Sequence, residues 1–216
     1  MYDLQTIMRG LLWVAYVLYV FCFVPQVLTN IERKSTAGVS NATIFIYFYG
    51  YLIEVLYAYF LGLPLALRVM IPVGAGVAGT LVLQRFYYDP DPWLRFRAAI
   101  IYATALMAVL LLAVLGVWYP WVTGHLAGWV GTIMWFIYQI PQAWKVYKTK
   151  SVEGFNFFFI IIAIVGAVIE IIAGILIPLP PQAVFNGSRG LLFCCIFIWQ
   201  FSLYHKRSWR EWLTFK

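Results

Sequence analysis

The chain has 216 residues, of which 64% are hydrophobic and only 11% are charged, and its mean hydropathy is +0.86. Soluble domains hold roughly 45–50% apolar and about 25% charged residues, so this composition excludes a water-soluble globular protein and predicts a membrane protein. The net charge of +7 comes mostly from short loops between apolar runs, which indicates control of membrane topology and argues against nucleic-acid binding.

Seven apolar runs are long enough to be transmembrane helices, each of which needs about 20 mostly apolar residues. In chain order they cover residues 8–29, 38–61, 65–85, 96–118, 122–144, 155–177 and 183–204. Polar or proline-rich turns separate them, and the Asp89–Pro92 loop contains two prolines that disfavour helix. The sequence therefore predicts an all-α polytopic membrane protein with seven spans and a short tail at 205–216.

The second half of the chain repeats the first at an offset of 116 residues, without a gap. Pro25-Gln26 falls on Pro141-Gln142 (141 − 25 = 116), and Glu54 falls on Glu170. A repeat of this length predicts two equivalent halves and a connector. Three spans reverse the chain direction, so parallel halves need one more span between them. We predict a 3+1+3 arrangement with repeats at 8–85 and 122–204 and a linker helix at 96–118. Pseudo-symmetric membrane halves are common in small-solute transporters.

Lysine and arginine predict the orientation of the chain. With the N-terminus outside or lumenal, and the C-terminus cytoplasmic, twelve of the fifteen basic residues lie on the cytoplasmic side and the outside loops hold almost none. These residues are Arg33, Lys34, Arg85, Arg95, Arg97, Lys145, Lys148, Lys150, Lys206, Arg207, Arg210 and Lys216. The last four lie in the tail, which we predict to contact anionic lipid of the bilayer.

Both Pro-Gln pairs, Pro25-Gln26 and Pro141-Gln142, lie in the predicted cytoplasmic portions of spans one and five. A proline removes a backbone donor and frees the carbonyl four residues earlier, so the helix kinks and can hinge. The glutamine that follows can bind the exposed backbone or a neighbouring helix. One such pair would be explained as a helix end, but two pairs in equivalent positions favour a hinge or gate.

At these motifs the chain resembles a known family. Val24-Pro25-Gln26 and Ile140-Pro141-Gln142 are each followed by a basic turn and a Lys-Ser-x-x-Gly segment, at 34–38 and 150–154, and this pattern is similar to the paired motifs of the PQ-loop repeat family. That family includes cystinosin and the lysosomal and vacuolar cationic amino-acid exporters, and it shares a seven-helix fold with SWEET sugar transporters. The resemblance implies alternating access, often proton-coupled, around a site between two three-helix bundles.

The chain departs from the sugar-transporting branch of this fold in two respects. Predicted spans two and six contain no interior proline. Asn186 has Met70 at the equivalent position (186 − 116 = 70), so the paired asparagines of sugar sites are absent. Both departures weaken the interpretation as a sugar carrier.

Glu54 and Glu170 lie deep within predicted spans two and six. A charge there costs about 2.5–3.5 kcal/mol on insertion scales, so we expect both to face the bundle interior and to have a function. A carboxyl group removed from water favours its protonated form, so either acid could carry a proton. Arg189 in span seven could instead be a structural counter-charge for one acid. The other acid is then the proton carrier or the ligand of a substrate ammonium group.

We predict that Glu170 carries the proton, because Arg189 and Asn186 in the next helix could modulate it. Asn186 is also a candidate substrate contact. Glu54 is predicted to bind the substrate amine because tyrosines flank it, namely Tyr47, Tyr49, Tyr51, Tyr57 and Tyr59.

The leading predicted function is a proton-coupled carrier of a small amino acid, cationic like lysine or arginine. A sugar or neutral-solute carrier is one alternative, and a non-transporting receptor or adaptor of the same fold is another. No enzyme activity, cofactor or metal is predicted, because the sequence has no metal-binding cluster, Gly-rich phosphate loop or nucleophile with a histidine partner. The predicted partners are the small-molecule substrate, protons and lipid, and the membrane is a bacterial inner membrane or an endolysosomal or vacuolar one.

Overall fold

The computed structural model describes residues 4–89, 91–176 and 181–204. Within these residues the chain forms nine helical segments: α1 (Leu4–Phe21), α2 (Val24–Arg33), α3 (Asn41–Phe60), α4 (Leu65–Tyr88), α5 (Pro92–Trp118), α6 (Pro120–Ile137), α7 (Ile140–Thr149), α8 (Phe157–Leu176) and α9 (Pro181–Tyr204). Because α1 with α2, and α6 with α7, are two pieces of one interrupted rod, the segments make seven rods. The predicted all-α, seven-helix fold is confirmed.

The length and composition of these helices suit a lipid environment. Four helical stretches are long and apolar enough to cross a membrane, namely Thr6–Arg33, Asn41–Phe60, Leu65–Tyr88 and Pro92–Trp118, and α8 contains a shorter apolar stretch at Phe157–Ala173. In α5, all of whose residues are described, Gly116 is the one buried residue, so this helix lies at the periphery with its apolar side chains turned outward. The chain is a multi-pass membrane protein, as predicted.

Helix ends differ by a few residues from the predicted span limits, because a helix continues past the apolar run until a local signal stops it. Helix α4 continues to Tyr88, and Asp89 follows in extended backbone. Helix α5 begins at Pro92, and the Asp91 carboxylate before it accepts hydrogen bonds from the Trp93 and Leu94 amides. Such a cap satisfies amides that have no partner within the helix, and proline is favoured at this position.

Two rods are interrupted just before their Pro-Gln pairs. The first rod stops at Phe21 and the fifth at Ile137, again 116 residues apart (137 − 21 = 116). Pro25 and Pro141 lie in the first turn of α2 and α7, where a missing amide hydrogen costs nothing. Inside a continuous helix, each proline ring would clash with the carbonyl of the residue four positions earlier. The chain therefore ends the first helix and starts a new one just before the proline.

Each second piece is attached to the last rod of its own repeat by an equivalent hydrogen bond. Gln84 Nε2 on α4 donates to the Val27 carbonyl of α2 at 3.0 Å, and Gln200 Nε2 on α9 donates to the Ala143 carbonyl of α7 at 2.8 Å. Both pairs are related by the offset of 116. These bonds fix α2 to α4 and α7 to α9.

Two pseudo-symmetric contacts hold the repeats together: α1 packs against α8, and α6 packs against α3. Since α1 corresponds to α6 and α3 to α8 under the offset, one contact is the copy of the other.

The repeat bounds of 8–85 and 122–204 and the linker bounds of 96–118 stay predictions, as does the orientation in the membrane. The predicted tail at 205–216 lies outside the described residues.

Candidate functional site

A cavity of about 60 Å³ lies in the seam between the two repeats. Glu54, Glu170 and Arg189 all line it, so three of the four side chains predicted inside the membrane come together. Asn186 lies on α9, but its side chain is outside the described residues. Such a volume holds a few water molecules rather than an amino acid or a sugar. The remaining walls are mostly aromatic: Tyr16, Tyr19, Cys22, Phe23, Tyr47, Tyr51, Trp135, Tyr138, Gln139, Ala163 and Gly190.

Glu170 is held by two phenols of the opposite repeat. The Tyr16 hydroxyl donates to Glu170 Oε1 at 3.2 Å, and the Tyr19 hydroxyl donates to Glu170 Oε2 at 2.7 Å. The side chain of Glu170 is only 3% exposed. Gly166, one turn earlier on α8, makes room for the tyrosine, because a Cβ there would lie 3.1 Å from Tyr19 Cε1. The carboxyl group therefore ties α1 of the first repeat to α8 of the second.

Glu54 has a different environment although it occupies the equivalent position. The counterparts of Tyr16 and Tyr19 are Thr132 and Trp135 (16 + 116 and 19 + 116). The Thr132 hydroxyl donates within its own helix, to the Gly128 carbonyl at 2.8 Å. The Trp135 indole N–H is buried and lies close to the Glu54 carboxyl group, although it forms no hydrogen bond of normal geometry among the described residues. Glu54 is half-buried, so the duplication preserved the acid but not its phenol donors.

Arg189 lies against the aromatic wall of α6. Its guanidinium carbon is 5.4 Å from the ring centroid of Tyr138 and 5.8 Å from that of Trp135, within the range of a cation–π interaction. Its positive charge also acts on both Glu54 and Glu170. The predicted role as counter-charge to one acid stays a prediction.

The aromatic wall is built around the Trp135 ring. Its neighbours Tyr51, Tyr138 and Tyr47 meet it nearly edge-on, with ring centroids at 4.9, 5.3 and 5.6 Å. Aromatic faces carry partial negative charge and attract cations. Of the tyrosines that flank Glu54 in the sequence, Tyr47 and Tyr51 line the cavity. Tyr49 instead donates to the Tyr102 carbonyl of α5.

The glutamines of the Pro-Gln pairs each bind a loop of the opposite repeat. Gln26 Nε2 donates to the Gly154 carbonyl at 2.9 Å, and Gln26 Oε1 accepts from the Asn156 amide at 3.1 Å. Likewise Gln142 Nε2 donates to the Gly38 carbonyl at 3.2 Å, and its Oε1 accepts from the Ser40 amide at 2.8 Å. Every atom in one set is the 116-residue counterpart of an atom in the other. We call these two sets the PQ clamps.

The two loops that the PQ clamps bind also touch each other. Gly154 has a positive φ of 76°, which favours glycine, and a Cβ on Gly38 would overlap the Gly154 carbonyl. This close approach explains the glycine of each Lys-Ser-x-x-Gly segment. Lys145 Nζ donates to the carbonyls of Ala37 and Val39, the latter at 2.9 Å. Contacts between repeats therefore close this end of the bundle, which we call the PQ end.

Sequence reasoning missed Tyr16, Tyr19 and the cross-repeat direction of the PQ clamps. The two tyrosines are three residues apart on one helix, so they share a face, but nothing in their spacing tells which helix that face contacts. The hinge role of Pro25 and Pro141 and the gate role of Gln26 and Gln142 stay predictions.

Comparison with known proteins places the two halves in one family. The family model described as PQ loop repeat matches residues 7–67 and 123–183, two stretches again 116 residues apart. Over 44 residues the chain is 46% identical to cystinosin of Drosophila melanogaster, a match that covers 20% of this chain and 11% of that protein. The solved structure of a eukaryotic SWEET transporter has the same fold, with a TM-score of 0.74, 15% sequence identity, and coverage of 95% of this chain and 100% of that chain.

Proposed function

The chain belongs to the PQ-loop repeat family, as its motifs predicted, and from that premise we propose that it carries a small solute across a membrane by alternating access. One observation carries this proposal: two acids from equivalent positions of the repeats, Glu54 and Glu170, line one cavity between the repeats. Buried acids inside membrane bundles are characteristic of substrate and proton pathways. Opening the PQ clamps would expose the cavity at the PQ end, and parting the repeats at the other end would expose it there.

The chemistry of the cavity favours a positively charged amino acid, such as lysine or arginine. Two carboxyl groups and an aromatic wall attract cations, while Arg189 can bind a carboxylate. A neutral sugar has no charge that could pair with these groups. The wall of Tyr47, Tyr51 and Trp135 beside Glu54 supports the prediction that Glu54 binds the substrate amine.

Glu170 is suited to couple a proton to the movement of the repeats. As a carboxylate it accepts hydrogen bonds from Tyr16 and Tyr19, and such charge-assisted bonds are stronger than neutral ones. Protonation removes the charge and turns one oxygen into a donor, which weakens the tie between α1 and α8. Taking up a proton would thus loosen one repeat from the other, and losing it would restore the closed state.

Uptake into proteoliposomes tests this function. Purified protein is reconstituted, and radiolabelled lysine, arginine, neutral amino acids and sugars are each offered with and without a pH gradient, with protein-free liposomes as the control. We expect lysine or arginine uptake that the gradient accelerates and that sugars do not inhibit. Sugar uptake without pH dependence would replace the proposal with the neutral-solute alternative. Binding of a ligand without any uptake would favour the receptor alternative.

A further inference from the structure

The two repeats differ at the position two residues before each proline. Phe23 occupies it in the first repeat and Gln139 in the second (139 − 116 = 23). Phe23 is covered by other rings, since its centroid lies 3.9 Å from that of Tyr47 and 4.6 Å from that of Phe159. Gln139 lines the cavity with a side chain that is 2% exposed. The second repeat therefore presents a polar group where the first presents a packed ring.

The amide oxygen of Gln139 lacks a partner in the part of the chain that the structure describes. Buried polar side-chain atoms are nearly always hydrogen-bonded, so an unpaired acceptor that lines a cavity indicates a donor from outside the chain. The residue stands just before α7, where a side-chain oxygen often caps the first amides, but Gln139 makes no such bond. Its backbone is held in place by the Ala143 amide, which donates to the Gln139 carbonyl at 3.0 Å.

A cation at the same end of α6 complements this acceptor. The Arg189 guanidinium lies over the ring of Tyr138, the residue next to Gln139, and over the ring of Trp135, one helical turn earlier. An acceptor and a cation thus line the same part of the cavity. This pattern matches an ammonium group and a carboxylate attached to the same carbon atom.

We propose that Gln139 Oε1 accepts a hydrogen bond from the α-ammonium group of a free amino acid whose carboxylate pairs with Arg189. The inference rests on the proposed function and names its substrate class, since both backbone groups of the amino acid are recognised. The Glu54 carboxylate is then free to bind the positively charged end of the substrate side chain. Gln139 is a binding residue that the repeat pattern cannot reveal, because its counterpart is Phe23.

Competition binding to the purified full-length chain tests this assignment. Radiolabelled lysine is displaced by lysine, by 6-aminohexanoate, which lacks the α-ammonium group, and by cadaverine, which lacks the carboxylate. We expect the wild-type chain to bind 6-aminohexanoate roughly 10- to 100-fold more weakly than lysine, the effect of one hydrogen bond to a charged group. In Gln139→Leu the affinity for lysine should fall to that for 6-aminohexanoate, whose own affinity is unchanged. Gln139→Glu keeps an acceptor and should keep the discrimination.

The outcomes distinguish a wrong assignment of Gln139 from a wrong proposed function. If wild-type protein binds lysine and Gln139→Leu still discriminates against 6-aminohexanoate, the assignment of Gln139 is wrong while the proposed function stands. Loss of discrimination against cadaverine instead would mean that the amide faces the carboxylate, which also overturns the assignment. Failure of the wild-type chain to bind any amino acid overturns both. Unchanged 6-aminohexanoate binding in Gln139→Leu demonstrates that the variant is folded.

Discussion

Glu54 and Glu170 occupy equivalent positions of the two repeats, but their neighbours differ. Two phenols from α1 hold Glu170. The corresponding positions on α6 are a threonine bonded to its own helix and a tryptophan whose indole N–H lies near Glu54 without a hydrogen bond of normal geometry among the described residues. A carboxyl group that bridges the repeats can transmit a change of protonation to their contact. A half-buried acid with spare acceptors can receive a substrate donor. The division of roles between the two acids rests on this difference.

Substituting each acid by glutamine tests the division. Glu170→Gln mimics the permanently protonated state, so gradient-driven net transport should fall to the level of protein-free liposomes while exchange of labelled for unlabelled substrate continues. Glu54→Gln should lose binding and exchange together, because the substrate amine loses its carboxylate. Tyr16→Phe with Tyr19→Phe is the matched variant for the bridge and should impair net transport more than exchange. Gradient-driven transport in both glutamine variants would show that the acids are structural.

Sequence patterns could locate both acids, because a charge within an apolar run and a fixed repeat offset are local features. They could not identify Tyr16 and Tyr19 as partners, since tyrosines in apolar helices usually belong to the core or to the membrane interface. The neighbour of a helix face is decided by how the repeats pack. The repeat could not identify Gln139 either, because the repeat pattern singles out matching residues and the counterpart of Gln139 is Phe23.

At the scale of helices and loops, the Pro-Gln pair has two separable parts. The proline interrupts the rod and lets α2 or α7 take its own direction, and the glutamine spans to the loop of the other repeat. The sequence predicted a kink because the proline ring disrupts the backbone hydrogen bonds of its own helix wherever it occurs. It did not predict the swapped pairing of the PQ clamps, which requires the two loops to meet at the pseudo-symmetry axis.

The prolines should affect turnover more than folding. Pro25→Ala and Pro141→Ala allow one more backbone hydrogen bond, which straightens the rod whose bend opens the PQ end. We expect a several-fold slower turnover with little loss of folded, membrane-inserted protein, measured as exchange rate against the yield of monodisperse protein. Wild-type rates in both variants would mean that the prolines mark helix ends only.

Both PQ clamps should contribute to stability. Gln26→Ala leaves the Gly154 carbonyl and the Asn156 amide without their partner, and Gln142→Ala does the same to Gly38 and Ser40. Gln26→Ala also removes the hydrogen bond to Asn30 Oδ1, whose counterpart in the second repeat is Val146. An unpaired buried polar group costs about 1–3 kcal/mol, so each variant should lower the thermal midpoint of the purified protein, and Gln26→Ala should lower it at least as much as Gln142→Ala. Thr104→Ala is the control, because its exposed hydroxyl donates only within α5. A midpoint that falls for one glutamine alone would contradict the pseudo-symmetry of the clamps.

The whole molecule consists of two matching halves, and the distribution of basic residues predicts their orientation in the membrane. The PQ end is the predicted cytoplasmic end, because Arg33, Lys145 and Lys150 lie near it and the opposite end has few basic side chains. Under this topology, closed PQ clamps seal the cavity from the cytoplasm. The seven-helix architecture followed from apolar run lengths and the repeat, whereas the small volume of the cavity depends on how the two repeats pack.

Cysteine labelling tests the topology. Trp121 and Lys148 are both exposed, and they lie near opposite ends of the rod formed by α6 and α7. In a background without Cys22, Cys194 and Cys195, an impermeant thiol reagent added from outside should modify Trp121→Cys and spare Lys148→Cys. Permeabilising the membrane should make the second site reactive. The reverse pattern in intact membranes would overturn the predicted orientation.

The proposed function requires that substrate and proton move together through the cavity that Glu54 and Glu170 line. A pH-sensitive dye trapped inside proteoliposomes measures this coupling, with no imposed gradient and with lysine added outside. We expect lysine to change the lumenal pH in wild-type vesicles, and Glu170→Gln vesicles to show no change while they still exchange lysine. Lysine uptake by wild-type protein at a constant lumenal pH would overturn the coupling.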